Sequence, residues 1–255
     1  MSNSAIGKTY ALFDTPLNKK LVAEFEKNVA DFFLFPTIET EKIILDKEKK
    51  ELLRNLKAFD WIIFPDILVV EYFLQILGEN EIDFFELDAV RVCAFGEAVA
   101  DRLRFGQIHA DLVPNNLKTN VIFTALTEYI GSENLNGLSF LLVKEDSFDL
   151  EIGKLLAAKN AEIIQLPVYR AKVSNKQEIT KLKTLLKGGA IDEFIFSSPE
   201  DLIALKHYFP DEPIIKTFSE IKVLAIDENT FQTLQENNFK PHYFFRNYAV
   251  ENRID

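Results

Sequence analysis

Short apolar runs alternate with amphipathic stretches along the chain, and this alternation predicts strands connected by helices. The apolar runs are nearly continuous, as in Tyr10–Phe13 and Leu138–Val143. Strands of this kind are typical of parallel sheets that are covered by helices on both faces. The pattern therefore predicts an α/β fold built on parallel sheets.

One pattern of elements, pattern A, occurs twice: a strand, a helix, a second strand and a proline. The first copy comprises Tyr10–Phe13, a helix over Lys19–Val29, Asp31–Phe35 and Pro36. The second copy comprises Leu138–Val143, a helix over Leu150–Lys159, Glu162–Leu166 and Pro167. Self-similarity of this kind is a stronger guide to architecture than any single segment.

A second pattern, pattern B, also occurs twice: strand, helix, strand, helix and a short closing strand. The first copy comprises Asp60–Phe64, Val69–Leu77, Val90–Phe95, Ala98–Arg104 and Ala110–Val113, and a helix over Thr119–Ile130 follows it. The second copy comprises Asp192–Phe196, Pro199–Tyr208, Ile221–Ile226, Thr230–Asn237 and His242–Phe245. The chain order is therefore A, B, A, B.

Two pairings of these units are compatible with the repeat. Each A can pack with the B that follows it, or the middle B and A can form one domain while the outer A and B form another. Pro36 and Pro167 each begin a β-prone segment, because proline disfavours helix in the residue before it. Two such segments can pair as a hinge, so we favour the second arrangement. It predicts two similar parallel-sheet α/β domains: residues 1–36 plus 173–255 as a split outer domain, 41–166 as the inserted domain, and 37–40 with 167–172 as a two-stranded β linker.

The composition narrows the classes of function. Of 255 residues 47% are hydrophobic, so the chain can bury a core, and its net charge of −11 argues against nucleic-acid binding. No apolar run approaches the ~18 residues that span a bilayer. One cysteine and three scattered histidines argue against disulfides and metal sites, and the glycines form no phosphate-binding signature. The first residues lack the features of a secretion signal, so a reducing cytoplasm is expected.

Five segments, in their order and spacing, resemble uroporphyrinogen-III synthase. They are Phe59–Phe64, Val92–Ala100, Leu166–Arg170, Ile191–Pro199 and Val223–Thr230. The resemblance implies two α/β domains joined by a two-stranded ladder. It also implies an activity in tetrapyrrole, porphyrin and haem biosynthesis: hydroxymethylbilane is cyclised with inversion of its last pyrrole ring and loss of water. The enzyme would be a lyase that needs no cofactor or metal, acts as a monomer, and binds neither membrane nor nucleic acid.

The resemblance also implies the site residues, with the substrate in the cleft between the domains. Tyr169 aligns with a family tyrosine near the leaving hydroxyl and is the candidate catalytic residue. The candidate substrate-binding residues are Ser197, Ser198, Thr230, Gly96, Lys144 and Arg170. Ser198 is also expected to cap a helix whose first residue is Pro199.

Several positions depart from the family pattern. Pro65 and Asp66 stand where a Thr-Ser pair is usual, Val99 replaces a threonine, and Asp227 replaces a glycine. The closing helix is expected to be absent or replaced by residues 247–255. Acidic groups where an anionic substrate should bind favour an alternative: a non-catalytic two-domain protein that binds another small ligand or a partner.

Overall fold

The computed structural model describes residues 7–25, 30–131, 134–148, 150–173, 175–210 and 214–244. In this part of the chain the strands are β1 (Lys8–Phe13), β2 (Ala30–Phe35), β3 (Ile38–Lys42), β4 (Trp61–Phe64), β5 (Arg91–Ala94), β6 (Ser139–Glu145), β7 (Glu162–Val173), β8 (Glu193–Phe196), β9 (Lys222–Ala225) and β10 (Pro241–Tyr243). The α-helices are α1 (Pro16–Phe25), α2 (Lys47–Leu53), α3 (Ile67–Glu79), α4 (Glu97–Phe105), α5 (Thr119–Ile130), α6 (Glu151–Ala157), α7 (Lys176–Lys187), α8 (Pro199–Tyr208), α9 (Ile214–Thr217) and α10 (Glu228–Glu236).

The chain divides into two compact units, each with one five-stranded sheet. Unit 1 comprises residues 1–39 and 172–255, and its sheet has the order β10-β9-β8-β1-β2. Unit 2 comprises residues 40–171, and its sheet has the order β3-β7-β6-β4-β5. Each sheet thus combines one A pattern with the B pattern that does not follow it. The predicted α/β class, with one domain inserted into the other, is confirmed.

Strands β3 and β7 carry the chain from one unit to the other and lie side by side. The N–H of Ile43 donates to the carbonyl of Val168 at 2.9 Å, and Lys172 forms an ion pair with Glu39 at 3.5 Å. The residue numbers of these pairs run in opposite directions, as in antiparallel strands. Strand β7 is continuous through Pro167, so the linker is an extension of the unit 2 sheet.

The core of unit 1 is rich in phenylalanine on one face of its central strands. Phe13 contacts Phe194 at 5.7 Å between ring centroids, and Phe194 contacts Phe218 at 5.4 Å, both edge to face. All three side chains are buried. In strands buried on both faces, successive side chains enter opposite halves of the core, which explains the continuous apolar runs of the sequence.

The predicted strand over Ala110–Val113 is wrong in the described residues. Leu112 forms only an isolated bridge with Cys93. The carboxylate of Asp111 accepts a hydrogen bond from the N–H of Val92 at 2.8 Å. This side chain therefore replaces a backbone carbonyl that would accept from Val92 in a continuous strand pair. The equivalent strand of the second B pattern does form, as β10, whereas Phe245, residues 247–255 and residues 26–29 lie outside the described part.

Aspartates cap two helices at positions where the sequence departs from the family pattern. The carboxylate of Asp66 accepts from the N–H of Val69 at 2.8 Å at the start of α3, and that of Asp227 accepts from the N–H of Thr230 at 2.8 Å at the start of α10. Side-chain caps of this kind satisfy N–H groups that have no partner within the helix. The departures from the family pattern at these positions therefore have a structural explanation.

Helix α8 begins differently from the prediction. Ser198 occupies the cap position and Pro199 follows it, but the Ser198 hydroxyl makes no cap hydrogen bond. Instead Asp201 reaches back, and one of its carboxylate oxygens accepts from the N–H of Ser197 at 2.6 Å and from the hydroxyl of Ser197 at 2.7 Å. Burial raises the pKa of Asp201 to about 6, although these hydrogen bonds and one from the Ser198 N–H oppose the shift.

Replacing Asp227 with alanine should lower the free energy of unfolding by about 1 kcal/mol, because the helix loses its cap. Asp227→Asn keeps the acceptor oxygen and should cost only a few tenths of that. The midpoints of urea denaturation of the two variants and the wild type measure this. Equal midpoints for the alanine and asparagine variants would show that the cap contributes nothing.

Asp201 should make stability depend on pH in one direction. Its pKa is higher in the folded chain than the 3.8 of an unperturbed aspartate, so the folded state holds this proton more tightly. The resulting stability is present at low pH and is lost as the pH rises through about 6. The unfolding free energy of the wild type relative to Asp201→Asn should therefore increase by about 2 kcal/mol between pH 7 and pH 4.5. A difference that is independent of pH would contradict the assignment.

Candidate functional site

Each sheet has a switch point, a pair of neighbouring strands from which the chain connections run outward in opposite directions across the sheet. In unit 2 the chain passes from β4 to β5 on one side and from β6 to β7 on the other, so the switch point lies between β4 and β6. In unit 1 it lies between β1 and β8. Ligands of open α/β sheets bind beyond the carboxyl ends of the strands at such points.

Tyr169 lies at the carboxyl edge of unit 2, paired with Glu145 in the register of β6 and β7. Its ring stacks on Tyr72 of α3, with 5.1 Å between the centroids and 17° between the planes. The side chain has no solvent exposure, and its hydroxyl has no hydrogen-bond partner in the described part of the chain. A buried hydroxyl without a partner is costly and is an unusual feature of a folded protein.

The surroundings of Tyr169 keep its phenol protonated. Burial raises the pKa of Tyr169 well above its usual value, and the negative charges of Asp66 and Glu145 raise it further. The hydroxyl can therefore donate a hydrogen bond across the physiological pH range but does not act as a base. Because it is covered, contact with a ligand requires neighbouring groups to move.

Glu145 is buried, and the chain around it satisfies its carboxylate. One oxygen accepts from the N–H of Ser147 at 2.7 Å, its hydroxyl at 2.7 Å and the N–H of Phe148 at 3.0 Å. The other oxygen accepts from the N–H of Ala171 at 3.1 Å. These bonds fix the turn after β6 against β7, so Glu145 supplies a negative charge of fixed position beside Tyr169.

The two candidate cations of this edge, Lys144 and Arg170, differ in exposure. Lys144 is buried, and its Nζ lies 3.4 Å from the carbonyl oxygen of Asp146. Arg170 is exposed, and its Nε donates to the Asp146 carboxylate at 2.8 Å, which raises the pKa of the guanidinium. An anionic ligand at Arg170 would compete with this ion pair.

Gly96 follows β5 and is the cap residue of α4, with a φ of +89°, a conformation that favours glycine. As a glycine, this cap residue has no side chain to accept a hydrogen bond from the first turn, in contrast to Asp66 at α3.

At the carboxyl edge of unit 1, Ser197 and Ser198 follow β8. Both Ser197 donors are directed to Asp201, so an anionic ligand at these groups must replace an internal carboxylate. Thr230 is buried in the first turn of α10; its N–H donates to Asp227, and its hydroxyl has no partner within residues 214–244 or the other described segments.

The sequence interpretation missed three residues of these edges. Asp201 carried a usable signal, because an acidic residue three positions after a serine cap is the spacing of a capping box. Asn18, at the carboxyl edge of unit 1, donates from Nδ2 to the carbonyl of Phe13 at 2.8 Å, and its Oδ1 is buried without a partner in the described structure. Tyr72 carried no signal, since nothing in the sequence shows that its ring meets Tyr169.

Other candidate chemistry is not assembled in the described residues. No group of three or more His, Cys, Asp or Glu side chains there could hold a metal ion. Cys93 is buried, and burial raises the pKa of its thiol, which leaves it protonated and unreactive. Among the described helices, none has the length and apolar character needed to cross a membrane.

Comparisons with known proteins agree with this architecture. The solved structure of Thermus thermophilus uroporphyrinogen III synthase superposes with a TM-score of 0.65 at 18% identity, over 95% of both chains. A protein of Methanocaldococcus jannaschii, whose name assigns it only provisionally to uroporphyrinogen-III synthase, is 27% identical over 82% of this chain and 80% of its own. The uroporphyrinogen-III synthase of Chlorobaculum parvum is 23% identical over 88% of each chain.

The sequence model of one protein family also matches most of the chain. That family is described as Uroporphyrinogen-III synthase HemD, and the match extends over residues 19–255. The relatives are distant, but the length of this match and the shared two-unit fold lead to one conclusion: the chain belongs to the uroporphyrinogen-III synthase family.

Proposed function

We propose that this chain is an active uroporphyrinogen-III synthase, a hydro-lyase that cyclises hydroxymethylbilane, inverts the last pyrrole ring and releases water. The observation that carries the proposal is Tyr169: a buried, protonated phenol without a partner, at the carboxyl edge of a sheet in a member of this family. A donor held in this state suits the departure of a hydroxyl group, because its hydrogen bond is not already used.

The remaining chemistry of the proposal is positional. Hydroxymethylbilane is reactive by itself and cyclises spontaneously to the isomer without inversion, so the protein has to hold a flexible chain in one geometry. Carboxylates of the substrate suit amide groups at helix starts. In this proposal the start of α4 at Gly96 and the segment Ser197–Ser198 bind such carboxylates through their amides.

Three more residues complete the proposed set. Lys144 contributes a positive charge at the end of β6, and Arg170 exchanges its bond to Asp146 for a substrate carboxylate. The buried hydroxyl of Thr230 gains the partner that it lacks among the described residues. We propose that the reaction uses no cofactor.

One observation favours a second candidate function, a non-catalytic protein that binds another small ligand. The carboxylates of Asp66, Asp201 and Asp227 already accept hydrogen bonds from amides at the starts of three helices. Anions bound at those amides would meet negative charge. Stabilisation against heat by a non-tetrapyrrole metabolite, with none by uroporphyrinogen, would favour this candidate.

The proposal predicts that the protein converts freshly generated hydroxymethylbilane to uroporphyrinogen III faster than the spontaneous reaction. The measurement is the rate and the ratio of isomers I and III, separated after oxidation to the porphyrins. Heat-inactivated protein at the same concentration is the control. If only isomer I forms, at the spontaneous rate, the chain is not a synthase.

Tyr169→Phe should lower kcat about 10-fold to 100-fold, because it removes the donor to the leaving hydroxyl. The variant should unfold at the same temperature or higher, since the deleted hydroxyl is buried without a partner in the described structure. Tyr208→Phe is the matched control: the Tyr208 hydroxyl donates to the carbonyl of Pro36 at 2.6 Å, so its loss should reduce stability and leave kcat unchanged. A normal kcat for Tyr169→Phe would remove the residue from the mechanism.

A further inference from the structure

Asp66 is the residue of the unit 2 edge whose charge is hardest to reconcile with an anionic substrate. It stands where the family pattern has a neutral residue, and it is one of the groups that raise the pKa of Tyr169. Its function as a helix cap does not require a negative charge, because serine and asparagine cap helices equally well. Capping of α3 therefore does not explain the negative charge of Asp66.

The fold brings Asp66 to the reacting end of the proposed site. Strands β7, β6 and β4 are neighbours, and at their carboxyl ends lie Tyr169, Glu145 and the loop of Asp66 respectively. Helix α3, which Asp66 caps, places Tyr72 against the ring of Tyr169. The phenol thus packs on the helix that Asp66 caps and is paired with the strand end that carries Glu145.

The two cations at this edge of unit 2, Lys144 and Arg170, both interact with Asp146. The guanidinium of Arg170 pairs with Asp146, and the Nζ of Lys144 lies 3.4 Å from the Asp146 carbonyl oxygen. The effect of Asp66 and Glu145 on Tyr169 is that of net negative charge, which raises its pKa. A group that becomes positively charged at this position would be stabilised, and a group that becomes negatively charged would be destabilised.

We infer that Asp66, beyond capping α3, stabilises the positive charge that forms on the hydroxymethyl-bearing pyrrole ring of the substrate. This inference rests on the proposed synthase function. The bond between the hydroxymethyl carbon and oxygen breaks, and its electron pair leaves with the oxygen, which departs as water after gaining a proton from solvent. The ring is left as an azafulvenium cation. The substituted α-carbon of the last pyrrole ring, which carries no hydrogen, attacks this cation and forms a C–C bond, which gives a spiro intermediate. The older bond from that carbon to the methylene bridge of the preceding ring then breaks, and the free α-carbon of the last ring attacks that methylene. This second carbon loses a proton as the new C–C bond forms, which returns the proton taken from solvent.

The charge of Asp66 has opposite effects on the carboxylates of the substrate and on the cation that forms during the reaction. Carboxylate side chains of the substrate are permanently negative and are repelled by Asp66, which directs them to the amides of other helix starts, such as that of α4. The cation exists only after the C–O bond has begun to break. An interaction of this kind lowers the barrier without tightening the binding of the ground state, so it raises kcat and leaves KM nearly unchanged.

Asp66→Asn tests the inference, because asparagine keeps the oxygen that caps α3 and removes the charge. We expect kcat to fall about 10-fold or more, with KM within about twofold of the wild type. Asp46→Asn is the matched control: Asp46 caps α2 in the same unit, accepting from the N–H of Lys49 at 2.9 Å, and is exposed. This control should leave kcat and KM unchanged.

Two further variants keep the test decisive if Asp66→Asn proves unstable. Asp66→Ser is a neutral cap and should show the same loss of kcat as Asp66→Asn. Asp66→Glu retains the charge, and its kcat should lie between those of Asp66→Asn and the wild type. An unchanged kcat in the folded neutral variants, or a lower KM with a higher kcat/KM, would overturn the inference and identify Asp66 as a charge that only repels substrate. These results are distinct from failure of the proposed function, in which the wild type itself forms no isomer III.

Discussion

The structure depends on one constraint: every helix that follows a strand leaves N–H groups that need acceptors. In this protein Asp46, Asp66 and Asp227 supply such acceptors at the starts of α2, α3 and α10, and Asp201 accepts from the N–H of Ser197 just before α8. The helix starts that follow parallel strands all lie at the carboxyl edge of the sheet, where ligands also bind. The capping carboxylates and an anionic ligand therefore compete for the same amides.

This constraint changes the meaning of the overall charge of −11. Part of the negative charge at the edges is engaged in hydrogen bonds that the fold requires, as with the buried carboxylate of Glu145 and its four donors. An anion that binds nearby has to find amides without such an acceptor, and at the start of α4 the cap residue Gly96 has no side chain to provide one. Binding selectivity can thus arise from which helix starts are left uncapped.

The sequence predicted the architecture well and the edges less well. Local periodicity and the positions of the prolines predicted the repeat of strands and helices, the helix Thr119–Ile130 and the crossed pairing. Each of these signals can be recognised in a short segment of the sequence. The strand over Ala110–Val113 failed because a single side chain, Asp111, takes the N–H of Val92. The burial of Tyr169 and its stacking on Tyr72 depend on packing between distant segments, which no local pattern records.

The internal repeat places side chains of different chemistry at corresponding positions of the two units. Counting two residues from Pro36 and from Pro167 gives Ile38 in the first copy and Tyr169 in the second. Ile38 packs against the apolar core of unit 1, where an aliphatic side chain needs no partner. Tyr169 occupies the corresponding place in unit 2 with a hydroxyl that has none in the described residues, beside two carboxylates. Two copies of one pattern have thus acquired different properties. Unit 1 retains an apolar position, whereas unit 2 holds a buried donor whose energetic cost, under the proposed function, is recovered when a substrate supplies the acceptor.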